Sequence, residues 1–398
     1  MAESPTRRSL EHSERLGHML QTVRTPVAQG KVAVASADFL IYLELIRFLA
    51  AASVVIDHIS SPEFFGGADG ALSFIPPGIG RIGVVVFFVL SGYIIAWRHN
   101  VCRETSVDYV ANRISRLYSV LLLALFLTPI LDWVGMHGST LNYSVPLDDR
   151  PIQRLLVHLF MLQEYWVLGV RYFSNSPLWT LSYEAVYYSL YYLVFYAKKP
   201  LLAVALLLCA GPKIALLAPL WILGVVVLNL TRQGVQWGKA RHFAYIFLVM
   251  VLIFIWFSIR SVNVIDVFGE GLGWAAVFFG GGAGVFFSDY LLGAAVALHF
   301  ALVAARPPKF NVFLRRTIKA LAGFSFELYA LHMPVITLVV ALIGGASYGG
   351  AIFTLALCIL VAWSSLAITS RLKVRLRLLT KATVQRIAEA ADSRHAAK

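Results

Sequence analysis

Residues 39–59 read FLIYLELIRFLAAASVVIDHI. At about 1.5 Å rise per residue this stretch makes a helix of roughly 31 Å, long enough to cross a hydrocarbon core of about 30 Å. Glu44, Arg47, Asp57 and His58 interrupt an otherwise apolar run. An ionised side chain at mid-span costs roughly 2.5–3.5 kcal/mol on insertion scales, so such residues mark functional positions. The segment therefore reads as a membrane-spanning helix that carries chemistry.

Working outward, comparable runs recur near 80–98, 117–134, 178–197, 200–211, 213–229, 242–259, 285–304, 318–343 and 349–370. The pattern predicts an all-α fold, a polytopic integral membrane helical bundle of about ten transmembrane helices within residues 39–370. Composition agrees: 59% of the 398 residues are hydrophobic and 14% charged, against roughly 25% charged in soluble domains. The stretch 152–168 is apolar but broken by Arg154, His158 and Glu164, and reads as interfacial or re-entrant. Residues 1–38 read as a cytoplasmic, disordered tail and 371–398 as a second, basic one. Cys102, Cys209 and Cys358 are scattered, without disulfide or metal spacing, so no metal is expected.

The net charge of +13 is distributed as a topology signal. With both termini cytoplasmic, 26 of the 34 Lys and Arg residues fall on inner segments. The outer segments hold Arg81, Arg150, Arg154, Arg171, Lys213 and Arg260, while Arg47 and Lys319 fall inside spans. This asymmetry predicts a cell (inner or plasma) membrane protein whose basic loops contact lipid headgroups rather than nucleic acid. The run FGGGAG at 279–284 follows no strand and does not suit a phosphate cradle.

Ionisable residues inside the expected spans include Glu44, Arg47, Asp57, His58, Glu184, His299, Lys319, Glu327 and His332. Arg47 and His58 lie eleven residues apart, which puts them about 20° apart around a helix and roughly 16 Å apart along it. They line one face without touching. Glu44, one turn before Arg47, is placed to pair with it. His58, Glu184 and His332 reach similar depths in their spans, and a histidine with a carboxylate is what proton abstraction from a hydroxyl requires. On the inner segment 98–116, Arg113 and Arg116 stand at i and i+3, a spacing that suits a phosphate-rich ligand or simple interfacial anchoring. The same buried Arg, His and Glu residues suit a multi-pass transporter or proton-coupled carrier.

Five segments, in order, resemble the acyltransferase-3 family of membrane acyltransferases. The first is Glu44-Leu-Ile-Arg47 ending at Asp57-His58. The second is Gly83-Val84, Phe87-Phe88 and Ser91-Gly92-Tyr93. The third is Arg113-Ile-Ser-Arg116-Leu-Tyr118, the fourth Pro177 to Glu184 including Trp179, and the fifth Ser325 to Pro334 including Tyr329 and His332. Val85, Ser119 and Ala185 depart from common family choices and bear on the subfamily. The resemblance implies transfer of an acyl group, usually acetyl from acetyl-CoA, to a hydroxyl of a lipid-linked or exported glycan. It implies His58 as base; Glu184 is preferred as its orienting carboxylate because Asp57, adjacent in sequence, points about 100° away. Arg47 stabilises charge or holds the donor, and Arg113 and Arg116 bind the CoA phosphates. Glu44, Asp57, His332, Tyr329 and Trp179 form the supporting or acceptor-site set. All of this requires His58 and the guanidiniums to open onto one passage through the bilayer.

Overall fold

The first helix, α1 (Ala37–Ile59), starts where the Ser36 side chain caps it, accepting from the Phe39 N–H at 3.1 Å. The computed structural model describes residues 36–65, 72, 74–138, 150–232, 239–259, 286–345 and 347–396. The N-terminal tail up to residue 35 and the FGGGAG run lie outside these. After α1 come α2 (Ile79–Asn100), α3 (Ser106–Gly138), the short α4 (Pro151–Leu159) and α5 (Thr180–Tyr191). Then follow α6 (Pro200–Ala210), α7 (Pro212–Arg232), α8 (Lys239–Ile259), α9 (Phe286–Ala305), α10 (Val312–Gly323), α11 (Ser325–Ile343) and α12 (Tyr348–Ala396). Among the described residues there is no strand; Tyr172 and Asn175 form one isolated bridge.

The fold is an all-α polytopic membrane bundle. Among the described residues seven helices are long and apolar enough to cross a membrane: α1, α2, α3, α7, α9, α11 and α12. α6 and the apolar part of α8, Phe243–Trp256, are shorter. The expected span 178–197 is a 3₁₀ turn at Ser176–Trp179, then α5, then a π-helical turn at Tyr192–Tyr196. Two of the ten expected spans, 178–197 and 200–211, thus fall short of a full-length α-helix by themselves, whereas 242–259 lies within the 21 residues of α8.

Two further expectations are corrected. The expected span 318–343 is two helices, broken at Phe324 between α10 and α11. Gly323 precedes the break and Ser325 follows it, the residue types that stop and restart helices. Lys319 therefore belongs to α10, outside the long apolar helices. At the C-terminus, α12 does not end near 370. It continues as one helix to Ala396, and its extension is pinned to the start of α3 by Arg377 and Lys381, which both pair with Asp108.

α1 packs against α2, α10, α11 and α12; α2 packs against α7 and α9; α11 lies between α1, α3 and α12. The tightest crossing is α2 on α7. A Cβ at Gly92 would overlap the Trp221 carbonyl, and one at Gly224 the Val89 carbonyl. Small residues at such crossings let backbones approach where lipid supplies no hydrophobic drive. Arg81 of α2 and Asp289 of α9, the latter fully buried, form an ion pair that ties the two helices together.

Candidate functional site

His58 sits in the last turn of α1 and lines a cavity of about 1000 Å³. The other walls come from the turn after α1, the start of α4, the irregular segment 167–176, and Met333 and Thr337 of α11. His332, the residue before Met333 on α11, is fully buried against His58, with Nε2 3.3 Å from His58 Nδ1 and ring centroids 5.0 Å apart.

The hydrogen bonds assign the protons. His332 Nδ1 lies 2.7 Å from the Tyr329 carbonyl and 3.2 Å from that of Leu328, so Nδ1 carries hydrogen and Nε2 the lone pair. His58 Nδ1 lies 2.8 Å from the Val54 carbonyl and faces His332 Nε2, two acceptors, so it too carries hydrogen. In the neutral imidazole, with Nδ1 carrying the hydrogen, His58 Nε2 has the free lone pair, the form that accepts a proton from a hydroxyl.

The side chain facing His58 Nδ1 is thus a histidine, at the place where a carboxylate was expected. Glu184 lines a separate small cavity of about 30 Å³, together with Arg47, Arg116, Thr180 and Tyr329. Asp57 points away, its Oδ1 accepting from the Gly78 N–H at 2.8 Å just before α2. One residue along a helix is about 100° of rotation, which is why adjacent Asp57 and His58 serve different neighbours.

Arg47 is not bridged to Glu44. Its Nη2 donates to the Ala322 carbonyl at 2.8 Å, while Glu44 Oε2 is buried without a partner. The acceptor exists because α10 stops at Phe324: the last carbonyls of a helix have no partner within it. Arg47 and Arg116 also line a second cavity, of about 170 Å³, with Glu327, Thr369, Ser370 and Lys373. Arg47 Nε, and Glu184 Oε2 beside the smaller cavity, are buried without hydrogen-bond partners. Buried polar groups of this kind are uncommon and suit a polar ligand.

Arg113 and Arg116 separate. Arg116 faces these cavities, its guanidinium 5.5 Å from the Phe326 ring. Arg113 is enclosed: it lies 5.4 Å from the rings of both Tyr109 and Tyr188 and 3.7 Å from Glu104. Glu104 also holds Arg98 at 2.9 Å. Positions i and i+3 diverge by about 60°, and Glu104, in the turn before α3, claims the nearer guanidinium.

The passage expected between His58 and the guanidiniums is interrupted. The cavity at His58 shares no lining residue with the two at Arg47. Tyr329 stands between them, its ring 6.1 Å from that of His332 and 5.6 Å from that of Phe87. Its hydroxyl is held by Thr180 at 2.9 Å and the Pro177 carbonyl at 3.0 Å. Trp179, beside this lock, packs edge-on against Tyr183 at 5.0 Å.

Lys373 lies within 371–398, which reads in sequence as a tail. Leu366, Thr369, Ser370 and Lys373 follow the i, i+3, i+4, i+7 spacing of one helix face, and that periodicity was the available signal. His299, expected among the buried groups, lies away from these cavities and pairs with the Tyr42 hydroxyl.

The irregular segment lining the His58 cavity is fastened from behind. Lys213 Nζ donates to the Leu168 carbonyl at 2.9 Å and lies 3.9 Å from Glu164. Burial pushes the Glu164 carboxyl up to about 7, outweighing the opposing pull of Lys213 and Arg171.

Comparison with known proteins gives one consistent answer. A family model described as an acyltransferase domain matches residues 40–370. Acyltransferase MdmB of Streptomyces mycarofaciens is 25% identical over 144 residues, which cover 36% of this chain and 36% of that protein. The alignment thus spans about a third of that curated relative. No solved structure matches. The family match runs from α1 to residue 370 within α12, and so takes in part or all of every helix that builds the cavities described above: the chain belongs to the acyltransferase-3 family.

Proposed function

We propose that this protein is a membrane-bound O-acyltransferase that moves an acyl group, acetyl in the simplest case, from cytosolic acyl-CoA to a hydroxyl of a lipid-linked or exported glycan. The observation that carries the reading is the His58–His332 pair, which leaves His58 Nε2 unprotonated at the wall of a cavity of about 1000 Å³.

In this mechanism the acceptor hydroxyl gives its proton to His58 Nε2 while its oxygen attacks the thioester carbonyl. The tetrahedral adduct collapses to the ester, and the departing CoA thiolate takes the proton back from the imidazolium. His332 accepts from the His58 Nδ1–H throughout, holding the productive tautomer. Arg47 and Arg116 flank narrow spaces of about 170 and 30 Å³, a width that suits a pantetheine arm better than a nucleotide. The CoA phosphates would then lie toward Lys373 and Arg116 at the cytosolic mouth, and Arg47 would steady the arm. For the thioester to reach His58, the Tyr329 and Phe87 rings must part. On this reading both termini are cytoplasmic, and the donor and acceptor enter from opposite faces of the cell membrane.

His58→Ala tests it. Transfer is expected to fall by about 10²–10⁴-fold, the usual share of a general base, with membrane insertion intact. Full activity, read from the O-acetyl signals in the NMR spectrum of the cell's glycans, would remove His58 from the chemistry. Uptake by proteoliposomes that needs no acyl donor would favour a carrier instead.

A further inference from the structure

The positive-inside pattern leaves six Lys and Arg residues on the segments read as outer, and three of them, Arg150, Arg154 and Arg171, line the one cavity that contains His58. They come from two parts of the chain, the start of α4 and the irregular segment after it. The two parts are joined, because Arg154 donates to the Arg171 carbonyl. Glu63 is the acidic residue on the same wall. Neither Arg150 nor Arg171 forms an ion pair with a described carboxylate. Gln153, Ser61 and Ser174 supply neutral hydrogen-bonding groups between the guanidiniums. The volume, about 1000 Å³, is that of a cleft for a ligand of several rings.

Arginines on the outer side oppose the charge rule for orientation, so their convergence needs another cause. Guanidiniums bind carboxylates and phosphates in a planar two-bond geometry, and a neutral sugar gains nothing comparable from three of them.

We infer that the acceptor is an anionic saccharide, carrying a carboxylate or phosphate close to the hydroxyl that is acylated, and that Arg150, Arg154 and Arg171 hold that anion. The inference rests on the proposed reading that the acceptor enters the His58 cavity. The anion positions the saccharide so that its free hydroxyl faces His58. Neutral saccharides of the same size fit the volume but lose the register.

The test uses the full chain in a neutral detergent without acyl donor, with trigalacturonate and maltotriose as fluorescent probes and pyrophosphate as competitor. Trigalacturonate is expected to bind at least about tenfold more tightly than maltotriose, since a charge-assisted hydrogen bond is worth roughly 1.5–3 kcal/mol. Pyrophosphate should displace it. Arg150→Gln and Arg171→Gln should each remove most of that preference and leave maltotriose unchanged, whereas Arg171→Lys, which keeps the charge, should retain part of it. Equal binding of the two probes without competition by pyrophosphate, or no effect of the Gln variants, overturns the inference. So does displacement of trigalacturonate by phosphatidylglycerol with equal loss of both ligands in the variants, which would make this a lipid-headgroup site. No acyl transfer is read here. Full transfer in His58→Ala together with arginine-dependent binding would therefore sink the proposed chemistry alone.

Discussion

At His58 the protein keeps a cavity of about 1000 Å³, walled largely by non-helical chain; eleven residues back along α1, at Arg47, the spaces are about 170 and 30 Å³ and walled by helices. At the wide end the working nitrogen is set by histidine-to-histidine and histidine-to-carbonyl contacts. At the narrow end, guanidiniums are placed by a helix break and by aromatic rings. On the proposed reading, one helix face serves two ligands of different cross-section: a bulky one admitted between irregular chain, and a thin one threaded between helices. Tyr329 is the boundary, and on the proposed reading the two ligands meet only when it moves.

The largest effect after loss of His58 itself is expected at His332. His332→Ala removes the acceptor facing the His58 Nδ1–H and leaves the Val54 carbonyl alone to fix the tautomer. Turnover should drop about 10–100-fold, less than loss of the base, whose share is about 10²–10⁴, with the KM for acyl-CoA unchanged. Steady-state kinetics showing a change in KM instead would place His332 with the donor and dissolve the distinction between the two ends.

A smaller effect separates two arginines that the sequence presents as equals. Arg116→Ala should weaken acyl-CoA binding about tenfold or more, as expected for one lost charge-assisted contact. Arg113→Ala should leave affinity unchanged and lower thermal stability, because it takes away one of the two guanidiniums beside the buried Glu104 carboxylate and its packing on Tyr109 and Tyr188. Calorimetry in detergent checks both; equal losses of affinity would return Arg113 to the donor site.

The smallest expected effect is on the wall of the wide cavity. Between about pH 4.3, the ordinary glutamate value, and about 7, the folded protein holds a proton on Glu164 that the unfolded chain has released. Stability therefore falls as pH rises through that window and levels off above it. Glu164→Gln should lose this slope, read as melting temperature against pH. A variant with the wild-type slope would show that another group carries it.

The sequence by itself determined the fold class, because backbone groups in lipid must bond within their own segment and long apolar runs have few other solutions. Charge asymmetry set the expected orientation, and spacing along one helix placed Arg47 and His58 on one face, since periodicity is a local property. What only the tertiary structure decided is which side chains meet across helices. The partner of His58 is His332 from α11, the acceptor for Arg47 is a carbonyl exposed by a break at Phe324, and Lys373 reaches the cavity at Arg47 and Arg116 from a helix that reads in sequence as a tail. Glu184 and His332 are comparable candidates along the chain because depth alone does not say which neighbouring helix turns its face inward. That is fixed by packing, by crossings such as Gly92 on Gly224, and those contacts have no signature within a single span.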